Sequence, residues 1–498
     1  MSFAKNMAAN LAGKACSAAL MFVLPPVYVK LLGIESYGII GLYASIVAVL
    51  GILDLGLSTT LNREMARLSI ESKDTAAIHE TLRTFEVVFW VVGVAAGAAV
   101  AMLAPTIANR WLHSQQLTSA EVIRAIRLIG AVFALQWPLG LYSGALAGLQ
   151  KQVEANVVLV VFVALRLVGA AGALLLVRRT IDVFFIWQGL AFGLQTIATR
   201  LLIARVLPRS DRPISARLAA IRPQLRFSAG VSLVGILAVV LTQADKIIVS
   251  SLVPLSVFGY YALSWTVGTA LYALITPVFV AVFPRLTQLV KLRDERELVD
   301  LYHTAAQAMA VLVIPTAAVV TVFARQVVLA WTGDSVVAER TYAVVAIVTA
   351  GTALNGLMNI PYALQLAHGW TRLAVWTNLV GVVIVVPFEY FMTRNWGLEG
   401  AAVGWCLLNL GYVVVNVQIM HRRLLRSQMG EWYVRDNVLP LLAALVVIIP
   451  LRLGLPSMID RTRAGILLII AEGLAVLAAC LVASRVRSAI GRRVVRVT

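Results

Sequence analysis

The chain has 498 residues, of which 60% are hydrophobic and only 13% are charged, and its mean hydropathy is +0.88. A soluble protein of this length could not bury so much apolar side chain, so the composition indicates a polytopic membrane protein. The 42 Lys and Arg residues outnumber the 24 Asp and Glu residues, giving a net charge of +18. This excess must be placed relative to the bilayer before it is taken to indicate an acidic partner.

Fourteen apolar stretches of bilayer length predict an all-α fold with about fourteen transmembrane helices. A spanning helix needs about 20 residues, and charged or Gly- and Pro-rich breaks separate the stretches. The predicted spans are residues 8–30, 37–61, 84–104, 122–146, 155–177, 182–204, 227–252, 258–283, 301–324, 341–364, 373–392, 399–420, 438–455 and 464–484. No cleavage site with a soluble domain behind it follows the first span, which indicates an uncleaved anchor.

Lysine and arginine concentrate in the segments that lie inside if the N-terminus is cytoplasmic. They include Arg63, Arg67, Lys73 and Arg83 after the second span and six arginines after the sixth. The positive-inside rule therefore predicts that both termini are cytoplasmic. The net charge is then a signal of topology and does not indicate nucleic acid. The arginine-rich tail from Arg485 onwards is expected to lie near anionic headgroups.

A weak internal repeat relates two parts of the chain. Residues 32–43 match residues 253–264 at an offset of 221, which pairs Gly38 with Gly259. Spans one to six and seven to twelve would then be two copies of a six-helix unit that enter the membrane in the same sense. Transporters built from such parallel repeats bind substrate between the halves.

The repeat predicts the organisation of the whole chain around a central cleft. Two six-helix halves are expected at residues 1–207 and 208–425, and two additional helices with a basic cytoplasmic tail at residues 426–498. The loops are short, and no Walker-type phosphate-binding motif occurs in them, so ATP hydrolysis is not expected.

One cation lies deep in a predicted span. Arg166 falls near the middle of the fifth span, where a charged side chain costs about 2.5–3.5 kcal/mol on insertion scales. Such a residue needs either a polar cavity or an acidic partner on a neighbouring helix. Both alternatives remain open from the sequence.

Two further arginines lie at the outer start of span four. Arg124 and Arg127 are three residues apart and therefore share a helix face. Thr118 and Glu121 precede them with the spacing of a capping box. The two arginines are expected either to line an outer vestibule for an anion or to anchor the helix at the membrane interface.

Charged residues also lie in spans two and seven. Asp245 and Lys246 are adjacent, about 100° apart on a helix, so we expect one to face the cleft and the other a neighbouring helix. Asp54 precedes a glycine breaker near the inner end of span two, and Arg63 follows it at the inner surface. Asp54 could carry a proton or ion, or it could form a helix cap and pair with a basic residue.

The remaining candidate residues are aromatic. Trp137 and Trp265 lie inside spans and could stack on sugar rings or simply pack between helices. The cysteines have neither disulfide nor metal-binding spacing, and no metal motif or Ser-His-Asp arrangement is apparent. The sequence therefore predicts no cofactor, no metal and no enzymatic activity.

Several short segments resemble bacterial polysaccharide flippases of the multidrug/oligosaccharidyl-lipid/polysaccharide exporter superfamily. The similar segments are residues 10–12, 29–33, 35–38, 54–57 with Arg63, 243–246 and 258–261. The resemblance implies a MATE-like lipid flippase fold. It also implies alternating-access transport of undecaprenyl-diphosphate-linked oligosaccharide across the inner membrane, for O-antigen, capsule or exopolysaccharide synthesis.

On this resemblance the partners are the lipid-linked oligosaccharide, membrane lipids, a polysaccharide polymerase and a chain-length regulator. The expected diphosphate ligands are the cations of the cleft, namely Arg166, Arg124, Arg127, Lys246 and Arg63. The acids Asp54 and Asp245 are expected to couple transport to an ion. The alternatives are a cation-coupled multidrug exporter of the same superfamily, a membrane polysaccharide polymerase, or a scaffold without a transport cycle.

Overall fold

The computed structural model describes residues 16–71, 75–207, 222–454 and 460–488. Within these ranges the chain is almost entirely helical and forms no strand, which confirms the all-α prediction. The helices are α1 (Cys16–Leu32), α2 (Ile34–Leu50), α3 (Leu57–Glu71), α4 (Thr75–Thr106), α5 (Ser119–Gln136), α6 (Pro138–Gly148), α7 (Gln152–Leu176), α8 (Ile181–Val206), α9 (Arg222–Leu252), α10 (Leu255–Gly268), α11 (Tyr272–Leu292), α12 (Glu295–Val322), α13 (Ala324–Thr332), α14 (Ser335–Ala367), α15 (Arg372–Gly411), α16 (Val417–Leu424), α17 (Met429–Leu453) and α18 (Arg461–Val482).

Some sequence features fall outside these ranges. They are the segment 10–12 of the family resemblance, Lys73 of the first inner loop, and most of the arginines predicted for the third inner loop and the basic tail, namely Arg209, Arg212, Arg217, Arg492, Arg493 and Arg496.

Twelve helical stretches in the described part are long and apolar enough to cross a membrane. One of them, Arg372–Leu424, has 53 residues and is interrupted at Gly397, whose φ of +62° suits glycine because it has no Cβ. Cys16–Leu32 is a further, shorter apolar helix. These helices are compatible with the fourteen predicted spans. Their number, length and apolar character identify a multi-pass membrane protein.

The chain forms two compact units, residues 1–259 and 260–498. In the first unit α4 and α5 approach closely at Gly97 and Gly130, where a Cβ on either glycine would lie within 2.4 Å of the carbonyl oxygen of the other. The sequence predicted a division after residues 207 and 425. That division is based on the internal repeat and not on which residues pack together, and it stays a prediction.

The core of the second unit is built around α12. This helix is largely buried, and the wholly buried side chains along it include Tyr302, Met309 and Val313. The two C-terminal helices α17 and α18 pack against α12 and against each other. They are therefore part of the second unit's core, although they lie outside the proposed repeat.

Candidate functional site

Arg166 lies half-buried on α7 with its guanidinium carbon 4.4 Å from the centre of the Phe192 ring on α8. Tyr28 and Tyr43 are the ionisable side chains that interact with it electrostatically. Among the described residues, no carboxylate lies within ion-pair distance of Arg166, and no protein acceptor binds its N–H groups. The Phe192 ring therefore lies against the guanidinium, while its N–H donors stay available to a ligand.

Hydrogen bonds fix the aromatic side chains around this arginine. The Tyr28 hydroxyl donates to the carbonyl of Leu167 at 2.6 Å, and the Tyr43 hydroxyl donates to Oε1 of Gln136, also at 2.6 Å. We call Tyr28, Tyr43, Gln136, Arg166 and Phe192 the Arg166 cage. Its members come from α1, α2, α5, α7 and α8. Only tertiary packing brings them together, so no spacing in the sequence pointed to the cage beyond Arg166 itself.

The predicted capping box at the start of α5 is confirmed. The Thr118 hydroxyl accepts from the Glu121 backbone N–H, and the Glu121 carboxylate accepts from the Thr118 backbone N–H. Arg124 donates to Oδ2 of Asp182 at 3.1 Å, which links the second turn of α5 to the first turn of α8, and Arg127 is exposed. An anion-binding role for the two arginines stays a prediction.

Asp54 caps a helix. Its Oδ1 accepts hydrogen bonds from the backbone N–H and the hydroxyl of Ser58, at 3.1 and 2.8 Å, in the first turn of α3. Arg63 is exposed further along α3, with Glu64 4.0 Å away. The geometry is that of the capping alternative; an ion-coupling role of Asp54 and a substrate contact of Arg63 stay predictions.

Asp245 and Lys246 form an ion pair. The Lys246 ammonium lies 2.9 Å from both carboxylate oxygens of Asp245 and also donates to the carbonyl of Thr242. The flexible lysine stem bends the ammonium back over its neighbour. The expectation that one of the two faces a cleft and the other a neighbouring helix stays a prediction. Asp245 is only 1% exposed. The Lys246 ammonium therefore offsets the negative charge of a buried carboxylate.

The two candidate tryptophans lie in packed surroundings. Trp137 packs against Phe89 and Phe133, with ring centres 5.8 and 5.1 Å away. Trp265 is 8% exposed and packs against Trp405 at 5.4 Å. Both contacts match the packing alternative, and stacking on a sugar ring stays a prediction.

A second polar cluster, which the sequence did not indicate, lies in the second unit. His303 and Asp436 are wholly buried, and Nδ1 of His303 donates to Oδ2 of Asp436 at 2.5 Å. The other oxygen of Asp436 accepts from Gln307 at 2.9 Å. Arg485 binds Glu431 at 2.9 Å, and its backbone N–H donates to Gln307. These five residues form the His303 cluster, which ties α12 to α17 and to the segment after α18.

This cluster also contains the only group of possible metal ligands among the described residues. His303, Glu431 and Asp436 each place one ligand atom within 4.8 Å of the others. Each oxygen of Asp436 accepts one hydrogen bond, from His303 or from Gln307, and one oxygen of Glu431 accepts from Arg485. The arrangement is that of a hydrogen-bonded network in which protein groups already satisfy the carboxylates.

The two segments related by the offset of 221 contact each other within the first unit. A Cβ on Gly38 would lie 2.7 Å from the carbonyl oxygen of Leu255, and a Cβ on Gly259 would lie 2.1 Å from that of Ile34. Under the offset, Gly38 corresponds to Gly259 and Ile34 to Leu255. The contact is therefore reciprocal, as a local two-fold pseudosymmetry requires. We call this contact the glycine crossing.

A buried carboxylate reinforces the same end of α2. Glu35 is 1% exposed and accepts backbone hydrogen bonds from Gln115 and Gln116 at 2.6 and 2.7 Å. Its counterpart under the offset, Ser256, donates to the side chain of Gln115 at 3.2 Å. The loop before α5 therefore binds both repeat-related helix starts.

Comparisons with known proteins agree with this architecture. Residues 27–337, more than half of the chain, match the family described as polysaccharide biosynthesis protein. A Shigella flexneri protein described as "Putative O-antigen transporter" is 21% identical over 423 residues, covering 82% of this chain and 95% of that protein.

Solved structures share the fold at low sequence identity. The lipid II flippase MurJ in an inward closed conformation aligns with a TM-score of 0.72 at 11% identity, covering 94% of this chain and 97% of MurJ. An inward-facing multidrug resistance transporter of the MATE family aligns with a TM-score of 0.67 at 16% identity, covering 83% and 95%. The fold is thus MATE- and MurJ-like, and the chain belongs to the polysaccharide biosynthesis protein family, as its resemblance to polysaccharide flippases indicated.

Proposed function

We propose that this protein is a flippase that moves undecaprenyl-diphosphate-linked oligosaccharide from the cytoplasmic to the outer leaflet of the bacterial inner membrane. The observation that carries the proposal is the Arg166 cage. At its centre, a cation in a membrane-spanning helix has no carboxylate partner in the described part of the chain. The family and the MurJ-like fold support the same function.

The chemistry of the cage suits a lipid diphosphate. A diphosphate that crosses the apolar core loses its hydration, and a guanidinium replaces it with two parallel charge-assisted hydrogen bonds. The Tyr28 and Tyr43 hydroxyls already donate to the Leu167 carbonyl and to Gln136, so the guanidinium is the group in the cage that would donate to the diphosphate. The protein needs only to bind and release, so the proposal includes no enzymatic step.

The distribution of acids favours this function over the export of organic cations. A cation exporter needs a carboxylate that is free to meet its substrate. In the first unit, Asp245 is paired with Lys246, Glu86 with Arg200, and Asp54 accepts from Ser58. An unpaired arginine among paired acids favours an anionic ligand.

The proposed cycle is alternating access with both termini in the cytoplasm. On this orientation the glycine crossing lies at the outer end of α2. Its close backbone approach would close that end while the substrate enters from the cytoplasm, and the crossing would separate for release.

The test is complementation of surface polysaccharide export in a strain that lacks the gene. Arg166→Gln should abolish export at normal expression, and Arg166→Lys should retain only part of it, because an ammonium cannot bind the diphosphate in a planar fork. Arg205→Gln, an exposed arginine in the last turn of α8, is the matched control and should export normally.

Drug susceptibility of the same strain separates the two exporter functions. Full polysaccharide export by Arg166→Gln would refute the role of the cage. A deletion strain that exports polysaccharide normally but becomes sensitive to organic cations would refute the proposed function itself.

A further inference from the structure

A cavity of about 270 Å³ lies in the first unit between α6, α7 and α8. Five polar residues line it, and none is charged: Ser143, Gln152, Asn156, Gln195 and Thr199. The rest of the lining is Leu, Val and Ala. The volume is close to the lower end of about 300 Å³ for small-molecule sites.

The polar groups in this cavity lack protein partners. In the described part of the chain, the side chains of Ser143, Gln152, Asn156 and Gln195 form no hydrogen bond, and Thr199 donates only to the Gln195 carbonyl of its own helix. Of these residues Gln195 is buried and Asn156 is half-buried, whereas Ser143 and Gln152 are exposed. Buried amides are normally paired, so the Gln195 amide, beside three further polar side chains without protein partners, points to a ligand that donates and accepts hydrogen bonds.

The cavity and the Arg166 cage lie on the same faces of two helices. On α7, Gln152 and Leu159 precede Arg166 by fourteen and seven residues. Seven residues make about two helical turns, so all three residues lie on one face of α7. On α8, Gln195 and Thr199 follow Phe192 by three and seven residues and share its face. At 1.5 Å per residue, the cavity begins about 5–10 Å from the cage toward the predicted cytoplasmic end.

We propose that this cavity binds the uncharged, hydroxyl-rich glycan of the substrate while Arg166 binds the diphosphate. The inference rests on the proposed function and adds a second subsite with a different chemistry. Amide and hydroxyl side chains match sugar hydroxyls because both groups donate and accept. An uncharged lining suits a neutral glycan better than a diphosphate, and five polar side chains are poor neighbours for an acyl chain.

The two subsites predict a separation of binding energies. Asn156→Leu and Gln195→Leu keep the approximate side-chain volume but remove hydrogen bonds. Each should weaken binding of lipid-linked oligosaccharide to the purified full-length protein by about 3- to 10-fold. Neither should change the affinity for undecaprenyl diphosphate without sugar. Arg166→Gln should weaken binding of both lipids, and Leu159→Met, an apolar lining residue, is the control that should change neither.

Each outcome of this binding experiment is decisive. Asn156→Leu and Gln195→Leu variants that bind both lipids like the wild type, or that lose both equally, would overturn the glycan subsite. In those cases the proposed function would stand if Arg166→Gln still impaired both. A wild-type protein that binds neither lipid would instead overturn the proposed function, and the glycan subsite with it.

Discussion

At the scale of single residues, the charges inside the predicted spans divide into paired and unpaired groups. The buried carboxylates Glu86 and Asp245 each have a cationic partner, and Glu472 accepts from the Thr316 hydroxyl at 2.7 Å. Arg166 instead contacts the Phe192 ring. The unpaired cation, rather than the number of charges, therefore distinguishes the candidate ligand site from structural polar contacts.

The sequence predicted local residue contacts better than side-chain directions. The capping box of Thr118 and Glu121 was predictable because both partners lie within one turn of the same helix. The pairing of Asp245 with Lys246 was not, because adjacent helical residues diverge at Cβ and only the lysine rotamers decide where the ammonium lies. The neighbours of Arg166 were equally inaccessible, since they come from four other helices.

The Asp245–Lys246 pair predicts a specific pattern of stabilities. Lys246→Met should destabilise the protein by about 3–5 kcal/mol, because it removes the ammonium that pairs with the buried Asp245 carboxylate. The double variant Asp245→Leu with Lys246→Met should recover most of that loss. Thermal unfolding of the purified variants in detergent measures both effects. A double variant that unfolds normally yet cannot transport would show that the pair acts in transport as well as in stability, and equal destabilisation by both variants would contradict the pairing argument.

At the scale of helices, the apolar runs located nearly every membrane-spanning element but not its breaks. Predicted span 37–61 contains the end of α2, a 3-10 turn at Gly51–Asp54 and the start of α3. Predicted span 258–283 is likewise divided between α10 and α11. Hydropathy cannot resolve such breaks because the residues on both sides are equally apolar, although Gly56, with φ +77°, marks the first break in the sequence.

The association of α12 with α17 is expected to depend on the His303 cluster. Asp436→Asn keeps the shape but removes the charge, and it places one amide N–H₂ opposite a donor from His303 or Gln307. We expect a loss of about 1.5–3 kcal/mol, the usual contribution of a hydrogen bond to a charged group. The thermal unfolding midpoint should fall accordingly.

The control for this variant is Glu339→Gln, which breaks an exposed ion pair with Arg325 in the same unit. Exposed pairs contribute about 0–1 kcal/mol, so its midpoint should change little. If Asp436→Asn behaved like this control, the cluster would not stabilise the packing of α12 with α17.

At the scale of the whole molecule, the family could be inferred from a few short segments, but the two candidate subsites could not. Composition and span count were sufficient for the fold class because the membrane restricts a chain of this hydropathy to helices. The Arg166 cage and the neutral cavity depend on which helix faces meet. Those contacts join residues on different helices, such as Tyr28 and Leu167, which are 139 positions apart.

The glycine crossing predicts how accessibility should change on one side of the membrane. Gly259→Val would place its Cβ 2.1 Å from the Ile34 carbonyl oxygen, so α2 and α10 must separate. The measurement uses a protein whose native cysteines are replaced and which carries Ser256→Cys. A membrane-impermeant maleimide applied outside the cell should label this cysteine several times faster when Gly259→Val is added.

The control is Gly172→Val, whose Cβ would meet no atom within 4 Å. It should label at the same rate as the Ser256→Cys protein without a glycine substitution. Unchanged labelling in Gly259→Val would contradict a closing role for the crossing, and labelling from the cytoplasmic side alone would reverse the predicted orientation.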